Sequence, residues 1–332
     1  MVRKFFELIL QSTFSLSFIL LASLSALSQS IDGPAVDSRV TVHGDSSTPS
    51  EMARMKTLRV SVDLVLVPVT VTDALNHPQT NLARENFTVY EGSQPQEIRY
   101  FSAEDSPISV GLLLDVSNSM QDKIETERAA VEQFFKNANP EDDYFAITFN
   151  SRPRVLSDVT QSIAGIETEL GLVQPSGSTS LLDAVYLGVS KLKNARYPRR
   201  ALVLISDGAD NSSRYKFREI KNLVAESDVM VYAIGMFDTG LFKSFEEVMG
   251  KRWLSTMTDV TGGRTTAVES LAKVPEACAE LSRELRSQYV LGYRPSETAK
   301  DKKWRKIKIV VSSSSGADQF RPYYRRGYYS DH

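Results

Sequence analysis

ISVGLLLDVSNSM, residues Ile108 to Met120, decides how the rest of the chain is read. Its apolar run has the continuity of a parallel strand buried on both faces. The run ends in the pattern Asp-x-Ser-x-Ser at Asp115, Ser117 and Ser119. One carboxylate and two hydroxyls at the end of a buried strand offer hard oxygen donors, which suit Mg²⁺ or Mn²⁺ and serve zinc and copper poorly. Asp and Ser are also ordinary residues of a strand-to-helix turn, so the pattern needs support from elsewhere. In the plainer reading Asp115 and Ser117 merely cap the next helix, but a cap needs only one such residue.

Two segments downstream supply that support. GSTSLLDAV sets Thr179 in a small-residue loop ahead of a helix, and ALVLISDGADN ends a second apolar strand at Asp207. With these, the chain resembles the von Willebrand factor type A domain family over roughly Pro107 to Arg286. That family's metal-ion-dependent adhesion site takes Asp-x-Ser-x-Ser, a Thr and an Asp from three loops in that order. The resemblance implies a metal site of Asp115, Ser117, Ser119, Thr179 and Asp207 holding Mg²⁺, with Mn²⁺ and Ca²⁺ as alternatives. It also implies that the hydroxyls bind directly while the two carboxylates act largely through water. An ion held in that way stays under-neutralised and keeps a position for an outside ligand, best filled by a partner's carboxylate.

The surrounding pattern is an alternation of strands and helices. Helical spacing is expected over Lys123 to Asn139, where Ile124, Val131, Phe134, Phe135 and Ala138 form one face, with a stop at Asn139-Pro140. DYFAITFNS and RPRVLSDVT read as neighbouring strands, and Ser162 to Val173, Ser180 to Asn194 and Phe217 to Ser227 as helices. ALVLISD and VMVYAIGMF are further buried strands. A helical region near Phe242 to Val260, a turn at Thr261-Gly262-Gly263 and a long helix from Glu269 to Ser287 complete the unit. The expected fold class is α/β: a doubly wound, mostly parallel sheet with helices on both faces, von Willebrand A or Rossmann-like.

Both flanks read differently. From Thr57 to Tyr100 the residues alternate with period two, Val60, Val62, Leu64 and Leu66 on one face and Val67, Val69 and Val71 after a phase shift near Pro68. SQYVLGYRP, WRKIKIVVS and RPYYRRGYYS follow the last helix as strands. The first flank alone is too short for a sandwich with its own core. The C-terminal strands are therefore expected to join the N-terminal ones in a small β-sandwich-like domain, with the α/β unit inserted. The expected division is signal peptide 1–28, flexible leader 29–56, N-terminal β segment 57–106, von Willebrand factor A-like domain 107–286 and C-terminal β segment 287–332. Bacterial exported proteins with a von Willebrand factor A-related domain are similar in both flanks, through VTDALNHPQTNLARENFTVYEGSQPQ and QYVLGYRP…RRGYYS.

Arg3 and Lys4 ahead of the apolar Leu16 to Leu27, with Ala26-Leu27-Ser28 as a cleavage site before Gln29, read as a secretory signal. An uncleaved anchor is the competing reading. Export to the periplasm, cell surface or medium follows, with no further transmembrane span. Lys+Arg 39 against Asp+Glu 41, net −2, provides no basic field for nucleic acid. The single cysteine, Cys278, sits on an amphipathic stretch as a small hydrophobe, and oligomeric state stays open.

Catalysis has little to stand on. The 3 histidines are His43, His77 and His332, none of them near the metal loops in the expected fold. No phosphate-binding Gly-Lys-Ser/Thr loop occurs. A metal-assisted hydrolase would need a general base besides its ion; Asp183 is the nearest choice, and the resemblance makes it scaffold. Asp210 and Asn211 read as turn residues. The expected function is an exported adhesion module, not an enzyme, that holds a protein or other polymer by an acidic group. An envelope assembly protein with a purely stabilising ion is the alternative, and a hydrolase ranks last. The resemblance adds one analogy, a coupling of the last helix to metal coordination.

Overall fold

The structure, a computed structural model, describes residues 64–237, 245–295, 303–312 and 320–330. The expected signal peptide and leader lie outside these residues. The centre is a six-stranded sheet built from β5 (Ser109–Asp115), β6 (Asp143–Phe149), β7 (Pro153–Thr160), β8 (Arg200–Ser206), β9 (Met230–Met236) and β10 (Thr265–Val268). Their order is β10-β9-β8-β5-β6-β7, parallel throughout except for the antiparallel edge strand β7. Every residue of β5, β6 and β9 is buried, as their unbroken apolar sequences require.

Helices cover both faces. α1 (Ile124–Phe135), α2 (Ile163–Leu172) and α6 (Val274–Arg286) share a core with Val110, Leu112 and Leu114 of β5. On the opposite face α3 (Leu181–Leu192), α4 (Phe217–Glu226) and α5 (Phe245–Thr261) pack on Leu113. Cys278 is buried within the first of these cores, and burial pushes its thiol up to about 12.

The flanking segments pair with each other. β1 (Val65–Thr72) lies between β11 (Tyr289–Tyr293) and β13 (Arg321–Tyr323), and β4 (Ile98–Ser102) extends this sheet beyond β11. A second sheet has the order β14-β12-β2-β3, from Gly327–Tyr329, Trp304–Val311, Phe87–Glu91 and Gln94–Gln96. Both sheets are antiparallel, and they share a core of Val67, Val69, Val71, Phe87, Val89, Tyr289, Leu291, Ile307 and Ile309. An α/β unit with a largely parallel sheet plus smaller antiparallel sheets is thus the architecture.

Several local expectations need correcting. No phase shift occurs at Pro68: β1 runs through it in unbroken register with β11, burying Val67, Val69 and Val71 and leaving Leu66 39% exposed on the other face. Residues 60–63 of the expected alternation lie outside the described residues. α1 ends at Phe135, ahead of the Asn139-Pro140 stop; Ala138 N–H closes a turn on Phe135 O at 3.0 Å, and Asn139 N–H donates to the buried Asp142 carboxylate at 3.1 Å. The stretch from Glu269 is not one helix. A short turn at Leu271–Lys273 precedes α6, and Pro275 fits the first turn of that helix because an N–H there has no intrahelical partner.

α6 carries an acid that makes stability depend on pH. Glu284 is fully buried, with Arg264 Nη2 2.6 Å from its Oε2. Burial pushes the carboxyl up from 4.5 to about 6 against the pull of Arg264. The folded protein therefore binds this proton more tightly than the unfolded chain does. The stability so gained is complete below pH 4.5 and is lost as pH rises through about 6. The stability of the wild type minus that of Glu284→Gln is expected to fall by about 2 kcal/mol across this window. Chemical denaturation at pH 4, 5, 6 and 7 checks it. A difference that grows with pH would mean that the Arg264 pair outweighs the burial.

Candidate functional site

The chain leaves β5 toward β6 and β7 on one side, then returns to place β8, β9 and β10 on the other. The carboxyl ends of β5 and β8 consequently flank the point where strand order reverses, which is where open α/β sheets form a crevice. Asp115 is the last residue of β5, and Asp207 directly follows the last residue of β8. Thr179 arrives on the loop preceding α3.

Backbone and side-chain bonds tie these three loops together. Asn118 N–H donates to Gly177 O at 3.0 Å, and Gly177 N–H donates to Asn118 Oδ1 at 3.1 Å. Gly177 has φ +79°, which disfavours a side chain, and a Cβ there would meet Ser151 Oγ at 2.6 Å and push it off Ser178 N–H. On the other side Thr179 N–H donates to Asn211 Oδ1 at 2.9 Å, while Asn211 and Ser212 N–H both reach Thr179 O at 3.0 Å. Asp210 Oδ2 accepts from Leu182 N–H at 2.8 Å, and Asp183 Oδ1 accepts from Arg214 and Tyr215 N–H at 2.9 and 3.1 Å. Asp183, Asp210 and Asn211 are thus braces of the loops, in keeping with their reading as scaffold and turn residues.

Within this frame Asp115 is fully buried. Ser117 N–H donates to its Oδ1 at 3.1 Å, and the Ser206 hydroxyl donates to its Oδ2 at 2.6 Å. Burial first, and the charge of Asp207 second, push its carboxyl up from 3.8 to about 7, against the hydrogen bonds from Ser206 and Ser117. The hydroxyls of Ser117 and Ser119 lie 3.0 Å apart. Asp207 is 7% exposed, and its Oδ2 accepts from Lys123 Nζ at 3.3 Å. Below the loops Glu127 of α1 is fully buried, and burial together with the Asp115 charge holds its carboxyl well above the usual range.

Ser206, Lys123 and Glu127 were missed in the sequence. Glu127 had a usable signal, since it falls three residues after Ile124 and four before Val131 on the apolar stripe of α1. Ser206 and Lys123 had none, because only the fold brings them to the carboxylates. Among the described residues no group of three or more His, Cys, Asp or Glu converges. The described histidine, His77, bonds Asp73 in an exposed turn.

Residues 110–209 match the family model for the von Willebrand factor type A domain. The match supports a von Willebrand factor type A domain. That domain holds β5, β6, β7 and β8 and reaches Asp207. Among solved structures, the chain is similar to the PilB minor pilin from Streptococcus sanguinis, with 12% identity over 55% of this chain and 62% of the pilin and a TM-score of 0.44. It is also similar to a conserved hypothetical protein, BatB, from Bacteroides thetaiotaomicron, at 17% identity over 54% and 100% of the two chains and a TM-score of 0.42. A von Willebrand factor type A protein from Catenulispora acidiphila gives 10% identity over 80% and 74% and a TM-score of 0.46. The chain thus spans less than two thirds of the pilin. No curated protein matches it. Among the described residues no helix is long and apolar enough to cross a membrane.

Proposed function

We propose that this chain is an exported protein-binding module whose von Willebrand factor type A domain grips an acidic group of its partner through a divalent ion. Mg²⁺ is the first choice, with Mn²⁺ and Ca²⁺ as alternatives, and Asp115, Ser117, Ser119, Thr179 and Asp207 would hold it. The observation that carries this reading is the convergence of two carboxylates at the β5/β8 switch point, within loops cross-linked to one another. Burial, and after it the charge of Asp207, raise the Asp115 carboxyl, and a cation between the two would offset the second of these. Two carboxylates and three hydroxyls form an all-oxygen set of the type that hard ions accept. When bound, the ion would supply a Lewis-acidic position for a partner carboxylate. The chain's own groups fix and shield that position.

Calorimetric titration of Mg²⁺ and Mn²⁺ into the purified, metal-stripped protein tests the reading, beside Asp115→Ala and Ser117→Ala. Saturable binding is expected in the wild type, with affinity reduced by a factor of about ten or more in each variant. Binding retained in both variants, with folding intact by circular dichroism, would sink the assignment. Capture of a carboxylate-bearing peptide that disappears with chelator separates an adhesive role from a purely stabilising ion.

A further inference from the structure

Lys123 is a charged group at the site with no part in the reading above. It stands immediately before α1, with its side chain 22% exposed, and its Nζ meets Asp207 Oδ2 at 3.3 Å. Asp207 is the more exposed of the two converging carboxylates, and its side chain is only 9% exposed. Water therefore screens this pair only in part, and the ammonium offsets charge that Asp115 and Asp207 would otherwise present to each other. A lysine does this reversibly: its charge is a point on a flexible four-carbon stem with an easy route back to solvent.

We infer that Lys123 is a built-in counter-ion of the site, which neutralises Asp207 in the metal-free protein and withdraws when a divalent cation binds. This rests on the metal reading of Asp115, Ser117, Ser119, Thr179 and Asp207. A divalent cation and the ammonium repel each other across the same carboxylate, so each ion bound weakens the hold of Lys123 on Asp207. Affinity is lowered by the free energy of that weakening, just as a ligand's affinity falls when its competent state is a minority. Lys123 in this way sets the ion concentration at which the site loads, and it offsets the charge of Asp207 while the site is unloaded.

The test compares the wild type with Lys123→Met and Lys123→Gln by calorimetric Mg²⁺ titration and by thermal melting with and without chelator. Removing a unit charge a few ångströms from a carboxylate changes its affinity for a cation by about tenfold or more. Both variants are therefore expected to bind Mg²⁺ about tenfold more tightly than the wild type. In chelator they should melt below it, and saturating Mg²⁺ should raise their melting temperatures more than it raises the wild type's. Equal or weaker Mg²⁺ binding by both variants, beside a wild type that binds, overturns the role of Lys123 and leaves the metal site standing. Absence of saturable binding in the wild type and in both variants overturns the metal reading and this inference together. The melts in chelator report folding independently, since a variant that does not fold shows no transition.

Discussion

Gly250→Ala is expected to destabilise the protein by about 3 kcal/mol, although alanine in a helix interior ordinarily gains up to about 1 kcal/mol over glycine. Gly250 lies in α5, and a Cβ on it would come within 1.8 Å of Gly208 O and 2.3 Å of Gly208 C. Both are backbone atoms, so no rotamer change relieves the overlap. Either α5 backs away from the sheet, uncovering Leu254 and Met257, or the loop after Asp207 moves. Moving the loop would cost the bond from Gly208 N–H to Ser206 Oγ, 2.9 Å long, beside Asp115. Denaturant melts of Gly250→Ala and Gly171→Ala give the comparison. At Gly171, in α2, an added Cβ meets nothing within 4 Å, so that variant should be neutral or slightly stabilised. If the two variants behave alike, close approach of α5 to the loop is not what requires glycine at position 250.

Asp142→Ala is expected to have a still larger effect, a loss of about 3 to 5 kcal/mol. The Asp142 carboxylate is fully buried and gathers donors from three directions. It accepts from Ile108 N–H at 2.9 Å, from Tyr144 Oη–H at 2.7 Å and from Asn139 N–H at 3.1 Å, and Arg286 Nη1 lies 3.0 Å from its Oδ2. Truncation leaves these donors without an acceptor and strands the Arg286 charge, whose side chain is 15% exposed and whose remaining acidic partner is the more exposed Asp105. Asp142→Asn keeps the size and one acceptor, so it should fall between the wild type and the alanine variant. Urea melts of the three proteins check the order. A loss below about 1 kcal/mol for alanine would mean that water reaches these groups.

The parts of the fold legible in the sequence are those whose burial is uniform. β5, β8 and β9 were legible because strands covered on both faces admit few polar residues. β10 was missed because Thr265-Thr266-Ala267-Val268 is short, half-exposed and at the sheet edge, so no hydrophobic run marks it. The start of α6 is marked in the sequence by Pro275, since proline in a first turn is a start signal, and the apolar pattern from Glu269 does not show it. At the site, the order of Asp115, Ser117, Ser119, Thr179 and Asp207 and their strand context carry the expectation of a metal, and the structure places the two carboxylates at the ends of β5 and β8. Ser206, Lys123 and Glu127 could not be placed beside Asp115 and Asp207 from spacing, because tertiary closure makes those contacts. The braces Asp210 and Asn211 were legible only as turn formers, since their bonds to Leu182 and Thr179 run to a distant loop.

The joint around Asp142 and Arg199 has a consequence for the order in which the chain folds. Arg199 donates to Ser106 O and, at 2.6 Å, to Leu285 O, so it holds the entry to β5 beside the exit from α6. β1 must find β11, with Val69 opposite Tyr289, and the whole α/β unit separates them along the chain. For an unfolded spacer this closure is entropically costly and slow. Once the α/β unit has folded, Ser106 and Leu285 are neighbours, and the distant pairing becomes as local as a hairpin. The folded α/β unit thus brings the two partners together, and β1–β11 pairing is expected to follow its folding.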